Sequence, residues 1–160
     1  MSSFWDRWAR FYDLAQWSNR AVNAAAAARA AELIPRGARV LDCAAGTGEF
    51  SLAAAEKAES VLCTDLSLPM LERARKKARK RGLSNIRSAR RDITALPDRD
   101  GSFGAVIAAN VLHLMPRPEP VIRELWRVTA PGGRLILPTY LQGRAGTAYG
   151  TMIKIYQGVG

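Results

Sequence analysis

The chain has 160 residues, 48% of them hydrophobic, and a formal net charge of +10. That length gives one globular domain room for a core and is too short for two. The opening MSSFWDRWARFYD lacks the basic-then-apolar order of a secretory leader, and no stretch approaches the roughly 20 apolar residues of a membrane span, so a soluble cytoplasmic protein is expected.

Residues 4–17 read as an aromatic helix, in which Phe4, Trp8, Phe11 and Tyr12 recur at helical spacing with Trp5 and Trp17 nearby. Such a stripe suits a packing face, and six aromatics in so short a segment also suit a lid over a pocket or an apolar substrate. An alanine-rich helix over 19–34 follows, ended by Pro35 and Gly37. Five strands are then expected at ARVLDCA (38–44), SVLCTD (60–65), NIRSARRD (85–92), GAVIAAN (104–110) and GRLILPTYL (133–141), with helices over 48–58, 67–81 and 118–130 between them. Gly82 stops the second of these helices, and PGG at 131–133 turns the chain into the last strand. The alternation predicts an α/β fold: a Rossmann-like, doubly wound, mostly parallel sheet with helices on both faces. Residues 1–35 are expected to form a helical lid segment on the main domain at 36–160, one globular unit in all. Cys43 and Cys63 each lie in an apolar run and in no metal-ligand spacing, which fits buried reduced thiols better than a disulfide framework.

The positive charge concentrates in ERARKKARKRGLSNIRSARRD, residues 72–92. Two readings stand: a solvated helix face, or an electrostatic footprint for an anionic membrane surface, nucleic acid or acidic substrate. No aromatic residue interrupts the run, so no base-stacking surface is visible there.

VLDCAAGTGEF, residues 40–50, runs from a strand into a helix through a turn of small residues. Glycine has no Cβ to block a ligand and tolerates unusual backbone angles, so Gly46 and Gly48 mark where a doubly wound fold lets a cofactor approach the main chain. Asp65 ends the second strand 17 residues after Gly48, where an acid can accept hydrogen bonds from both hydroxyls of a ribose. A nicotinamide dinucleotide would prefer G-x-G-x-x-G/A, but Ser51 stands at the third glycine position.

With these residues the chain resembles the class I S-adenosylmethionine-dependent methyltransferases, in particular the small ones acting on metabolites, quinones or lipids. The family motif E/D-x-G-x-G-x-G is matched by DCAAGTG at Asp42, Gly46 and Gly48, with Ala44 in place of the first glycine. That departure keeps the loop small and narrows the room around the cofactor's methionine moiety. TDLSLPML looks like the segment carrying the ribose acid, with Asp65 as ligand and Leu66 and Met70 beside the adenine or ribose. In RRDITALPDRDGSFGAVIAANVLHLM the resemblance implies that Asp92 and Ile93 address the adenine, and that Asn110, Leu112 and His113 close the methionine side. RELWRVTAPGGRLIL is similar to the family's last helix, turn and fifth strand, and Gly104 stands where the family often has an acid, so a fold-supporting contact is expected to be missing there.

The implied cofactor is S-adenosyl-L-methionine, the product S-adenosyl-L-homocysteine, and no metal is called for. Methyl transfer from a sulfonium is an in-line displacement needing alignment and a dry site rather than a covalent nucleophile. For a protic acceptor His113, the single histidine, is the candidate base, although packing or loop bonding would equally explain it. Tyr12 is counted with the cofactor ligands, and Tyr140 is a further pocket residue. The expected acceptor is a small molecule, a quinone or lipid; a nucleic-acid methyltransferase and an inactive cofactor-binding module are the alternatives. Family members continue past the fifth strand with a helix and an antiparallel hairpin, whereas this sequence stops at YGTMIKIYQGVG. The strand near Leu135 to Leu137 is therefore expected to be an apolar sheet edge open to pairing with a second copy.

Overall fold

The computed structural model describes Asp6 and residues 20–139. In chain order these form α1 (Arg20–Glu32), β1 (Arg39–Cys43), α2 (Glu49–Ala54), β2 (Ser60–Asp65), α3 (Leu68–Lys80), β3 (Ile86–Arg90), β4 (Phe103–Ile107), a 3-10 turn at Leu112–Leu114, α4 (Pro118–Val128) and β5 (Thr129–Ile136). Every strand pair is parallel, and the order is β3-β2-β1-β4-β5. This is the doubly wound α/β sheet the sequence predicts, and its winding reverses between β1 and β4.

Period-2 alternation assigns the two faces of the sheet. Val40, Val61, Ala105 and Ile107 pack with Ala27, Ala30 and Ala31 of α1 and Phe50 and Ala54 of α2, while Cys63 meets Leu71 and Ala74 of α3 on the same side. Leu41, Cys43, Val106 and Ala108 face the other way, onto Val121, Leu125 and Val128 of α4. Helices thus cover both faces, and Cys43 and Cys63 are buried and free.

Local chemistry sets the helix ends. Ser67 caps α3 by accepting from the Met70 amide, with a proline inside the first turn, and Gly82 at φ 68° follows the helix. Proline also opens α4, whose C-terminal turn is bolted to the preceding loop. Arg127 donates to the carbonyls of Leu96 and Asp98 and to Asp100 and Glu124, while the Glu124 carboxylate accepts from the Leu96 amide at 2.8 Å.

Two expectations are corrected. α4 ends at Val128, and β5 starts at Thr129, ahead of the PGG rather than after it. Thr129 pairs with Phe103, but Arg134 pairs with Ala105, so the residues between them form a bulge in the ladder. A Cβ at Gly133 would stand 2.8 Å from the Ala130 carbonyl and 2.9 Å from that of Gly104, which explains the glycine. At Gly104, where an acid contact is absent, a Cβ would lie 3.0 Å from that of Ala38; the bare backbone allows close packing there instead. The helix expected at 48–58 is also shorter, ending at Ala54. No described helix is long and apolar enough to cross a membrane.

Candidate functional site

In a doubly wound sheet the ligand crevice opens at the carboxyl ends of the strands where the winding reverses. Here that point lies between β1 and β4. Just beyond each strand a non-glycine residue is held in the left-handed region, Ala44 at φ 51° after β1 and Asn110 at φ 53° after β4. Such a conformation persists only where the surroundings enforce it. The Ala45 amide donates to the Thr64 carbonyl at 2.9 Å, and the Asn110 amide to that of Pro138 at 2.8 Å.

From Ala44 the chain passes through Gly46 at φ 55° to Gly48 at φ 82°, which starts α2. Gly48 is required twice over, because a Cβ there would lie 2.8 Å from that of Ala74 on α3. Asp65, at the end of β2, holds this loop. Its Oδ2 accepts from the Gly46 amide and its Oδ1 from the Ser67 amide, both at 2.8 Å. A carboxylate has about four acceptor positions, so Asp65 can tie the loop and still receive ribose hydroxyls. Burial pushes its pKa above the ordinary carboxylate range, against the pull of the Ser67 and Gly46 amides.

Asp42 is 1% exposed on β1 and reaches α2. Its Oδ2 accepts from Ser51 Oγ at 2.6 Å, whereas its Oδ1 is buried without a partner among the described residues. Burial, with Asp65 nearby, pushes the Asp42 carboxyl up to about 7. A buried carboxylate oxygen with nothing to accept from is costly, and a cation or donor placed over the loop would relieve it. S-adenosylmethionine offers a sulfonium, an ammonium and two ribose hydroxyls, so the residues present fit it. They fit a nicotinamide dinucleotide poorly, since the third glycine position is the buried Ser51, bonded to Asp42.

The remaining predicted residues divide. Met70 is 2% exposed in the first turn of α3, and Leu66 is half-buried with its carbonyl accepting from Arg90. Asp92 is exposed and its Oδ1 accepts from both the amide and the hydroxyl of Thr94. Ile93 is buried in the α4-side core, so what it can offer a nucleobase is main chain. Leu112 packs on that same core from the 3-10 turn. His113, in the same turn, is exposed, and partial desolvation lowers its pKa. Tyr12, Tyr140 and the aromatic stripe lie outside the described residues. No group of three or more metal-ligating side chains occurs among the described residues.

Two contacts were not foreseen. Lys77 of α3 donates to Thr47 Oγ in the glycine loop at 2.8 Å, and Ser67 Oγ donates to Asp6 at 2.6 Å. The first had a signal: Lys77 lies seven residues after Met70, on the same helix face. The second joins residues 61 apart and had none.

Fold, switch point and loop together define a class I S-adenosylmethionine-dependent methyltransferase domain. Residues 40–133 match the family described as "Methyltransferase domain", and the chain belongs to it. It is 38% identical over 143 residues to a demethylmenaquinone methyltransferase of Thermus thermophilus, covering 88% of this chain and 61% of that protein. It is 39% identical over 134 residues to one of Deinococcus radiodurans, covering 82% of this chain and 54% of that protein. The chain thus spans about half to three-fifths of these relatives' length. Among solved structures, the [4+2]-cyclase SpnF is 32% identical with a TM-score of 0.69, over 78% of this chain and 47% of SpnF.

Proposed function

We propose that the chain binds S-adenosylmethionine and transfers its methyl group to a small quinone-type acceptor. One observation carries the cofactor half of this reading: Asp65 braces the glycine loop beside a buried Asp42 oxygen that lacks a partner. The names of the two curated relatives support the acceptor half.

Bound there, the cofactor would supply an electrophilic methyl group on a positively charged sulfur. Its sulfur would leave with the carbon–sulfur electron pair as S-adenosylhomocysteine when an acceptor took the methyl group. Asp42 and the glycine loop would hold the methionine end, Asp65 would accept from the ribose hydroxyls, and Asp92 with the Ile93 main chain would address the adenine. A protic acceptor would also lose a proton, which His113 would accept.

The test is the thermal midpoint with S-adenosylmethionine, S-adenosylhomocysteine and NAD. A ligand that binds only the folded state stabilises it by RT ln(1 + [L]/Kd), so saturable shifts are expected with the first two, none with NAD, and loss of both shifts in Asp65→Ala. A folded sample that none of them shifts would overturn the reading. His113→Ala is expected to leave the cofactor shift intact and lower kcat by about 100-fold, in the range of general base catalysis.

A further inference from the structure

Helix α3, the edge strand β3 and the residues flanking them hold most of the molecule's net charge. Residues 68–91 contain ten of the 24 Lys and Arg residues and one of the 14 acids, Glu72. That leaves 14 basic and 13 acidic side chains everywhere else, which nearly cancel. The chain is therefore not diffusely basic: nine of its ten net charges sit on one helix–strand unit at one edge of the sheet.

Among the described residues, Glu72 and Asp98 pair with part of it. Glu72 is shared between Arg75 and Arg79, and Arg91 pairs with Asp98. Lys76, Lys80, Arg81 and Arg87 are exposed, and none of them pairs with an acid among the described residues. Met70, Leu71, Ala74 and Ala78 are the buried positions of α3, and Lys76, Arg79 and Lys80, with Arg81 at its C-cap, are its exposed basic side chains. Leu68, 53% exposed, adds an apolar tip where the helix leaves the cofactor loop.

We infer that this edge docks the protein on an anionic lipid bilayer. The choice of a bilayer over a polynucleotide rests on the methyltransferase reading, because a quinone-type acceptor partitions into lipid. It is also favoured by composition: residues 68–91 hold no aromatic side chain on which bases could stack, and the exposed long basic chains of Lys76, Lys80 and Arg81 at the C-terminal end of α3 suit a headgroup layer.

The experiment is co-sedimentation of the full chain with vesicles of phosphatidylcholine alone and of phosphatidylcholine with about 30 mol% phosphatidylglycerol, a composition that gives a strongly negative surface. Binding is expected only to the second, and to vanish at about 0.5 M salt, where the Debye length shrinks to a few ångströms. One basic residue near such a surface is worth on the order of fivefold in partitioning. Lys76→Gln, Lys80→Gln and Arg81→Gln together should therefore weaken binding by on the order of 100-fold, with the thermal midpoint and the cofactor shift unchanged. Equal binding to neutral vesicles, binding that survives high salt, or a folded triple variant that still binds would each overturn the inference. So would tighter binding to poly-uridine than to the anionic vesicles at equal salt. The salt series needs no variant, so it decides even if the substitutions impair folding. The cofactor shift is read separately; its loss with vesicle binding retained would sink the methyltransferase reading and leave the docking surface standing.

Discussion

Asp42 shows how one buried atom joins stability to binding. Its carboxyl is pushed up to about 7, against about 3.9 for an aspartate in an unfolded chain. The folded state therefore holds this proton more tightly, favouring folding fully below about pH 4, and that contribution is lost as the pH rises through about 7. An asparagine side chain at this position cannot titrate and can still accept from Ser51, so Asp42→Asn should gain stability over the native chain between about pH 4 and 7. The gain should level off above that at on the order of 4 kcal/mol. Denaturant unfolding across that range checks it, and calorimetry should show that the same variant binds S-adenosylmethionine more weakly. Lys77 acts on the same loop from α3. Lys77→Met leaves the Thr47 hydroxyl without this donor, and a lost charge-assisted bond of about 1.5 kcal/mol should raise the cofactor Kd by about tenfold.

At the scale of elements, the loop and α3 interlock through two small residues. Gly48→Ala faces both a left-handed backbone and a 2.8 Å approach to the Ala74 Cβ. We expect a loss of about 3 kcal/mol, combining a left-handed penalty of about 1 with overpacking of about 2. Adding Ala74→Gly removes the clash while leaving the backbone penalty and adding a helix-propensity cost of about 1 kcal/mol. The double variant should therefore recover part of the loss, as urea midpoints of the four proteins will show. The bulge in β5 brings backbone so close to Gly133 that only glycine fits there. The PGG reads in sequence as a turn before a strand, because proline and glycine signal a break without saying whether the flanking residues pair.

Across the whole molecule, the sheet order places β1 and β4 at the centre and β3 and β5 at the edges of the described structure. β1 is buried at Val40, Leu41, Asp42 and Cys43, whereas β3 has no fully buried residue. Opening a central strand disrupts two ladders and both covered faces, so its amides should exchange only through large unfolding events. Hydrogen exchange is expected to be slowest in residues 39–43 and 103–107 and faster in 86–90. The same arrangement explains the site: the two central strands deliver Ala44 and Asn110 to opposite sides of the reversal, and β2 delivers Asp65 beside them.

The sequence alone determined the fold class, the order of the elements, the glycine loop and the acid after the second strand. Each of these is local: an apolar period, a missing Cβ, a spacing of 17 residues between Gly48 and Asp65. Only the tertiary structure decided that Asp65 accepts from the Gly46 and Ser67 amides, that Asp42 keeps one oxygen unpartnered among the described residues, and that Lys77 reaches Thr47. It alone also drew Ile93 into the core and gathered the charge of α3 and β3 at a single edge. Burial, hydrogen-bond satisfaction and the pairing of distant residues depend on which elements become neighbours, and no window of sequence contains that information.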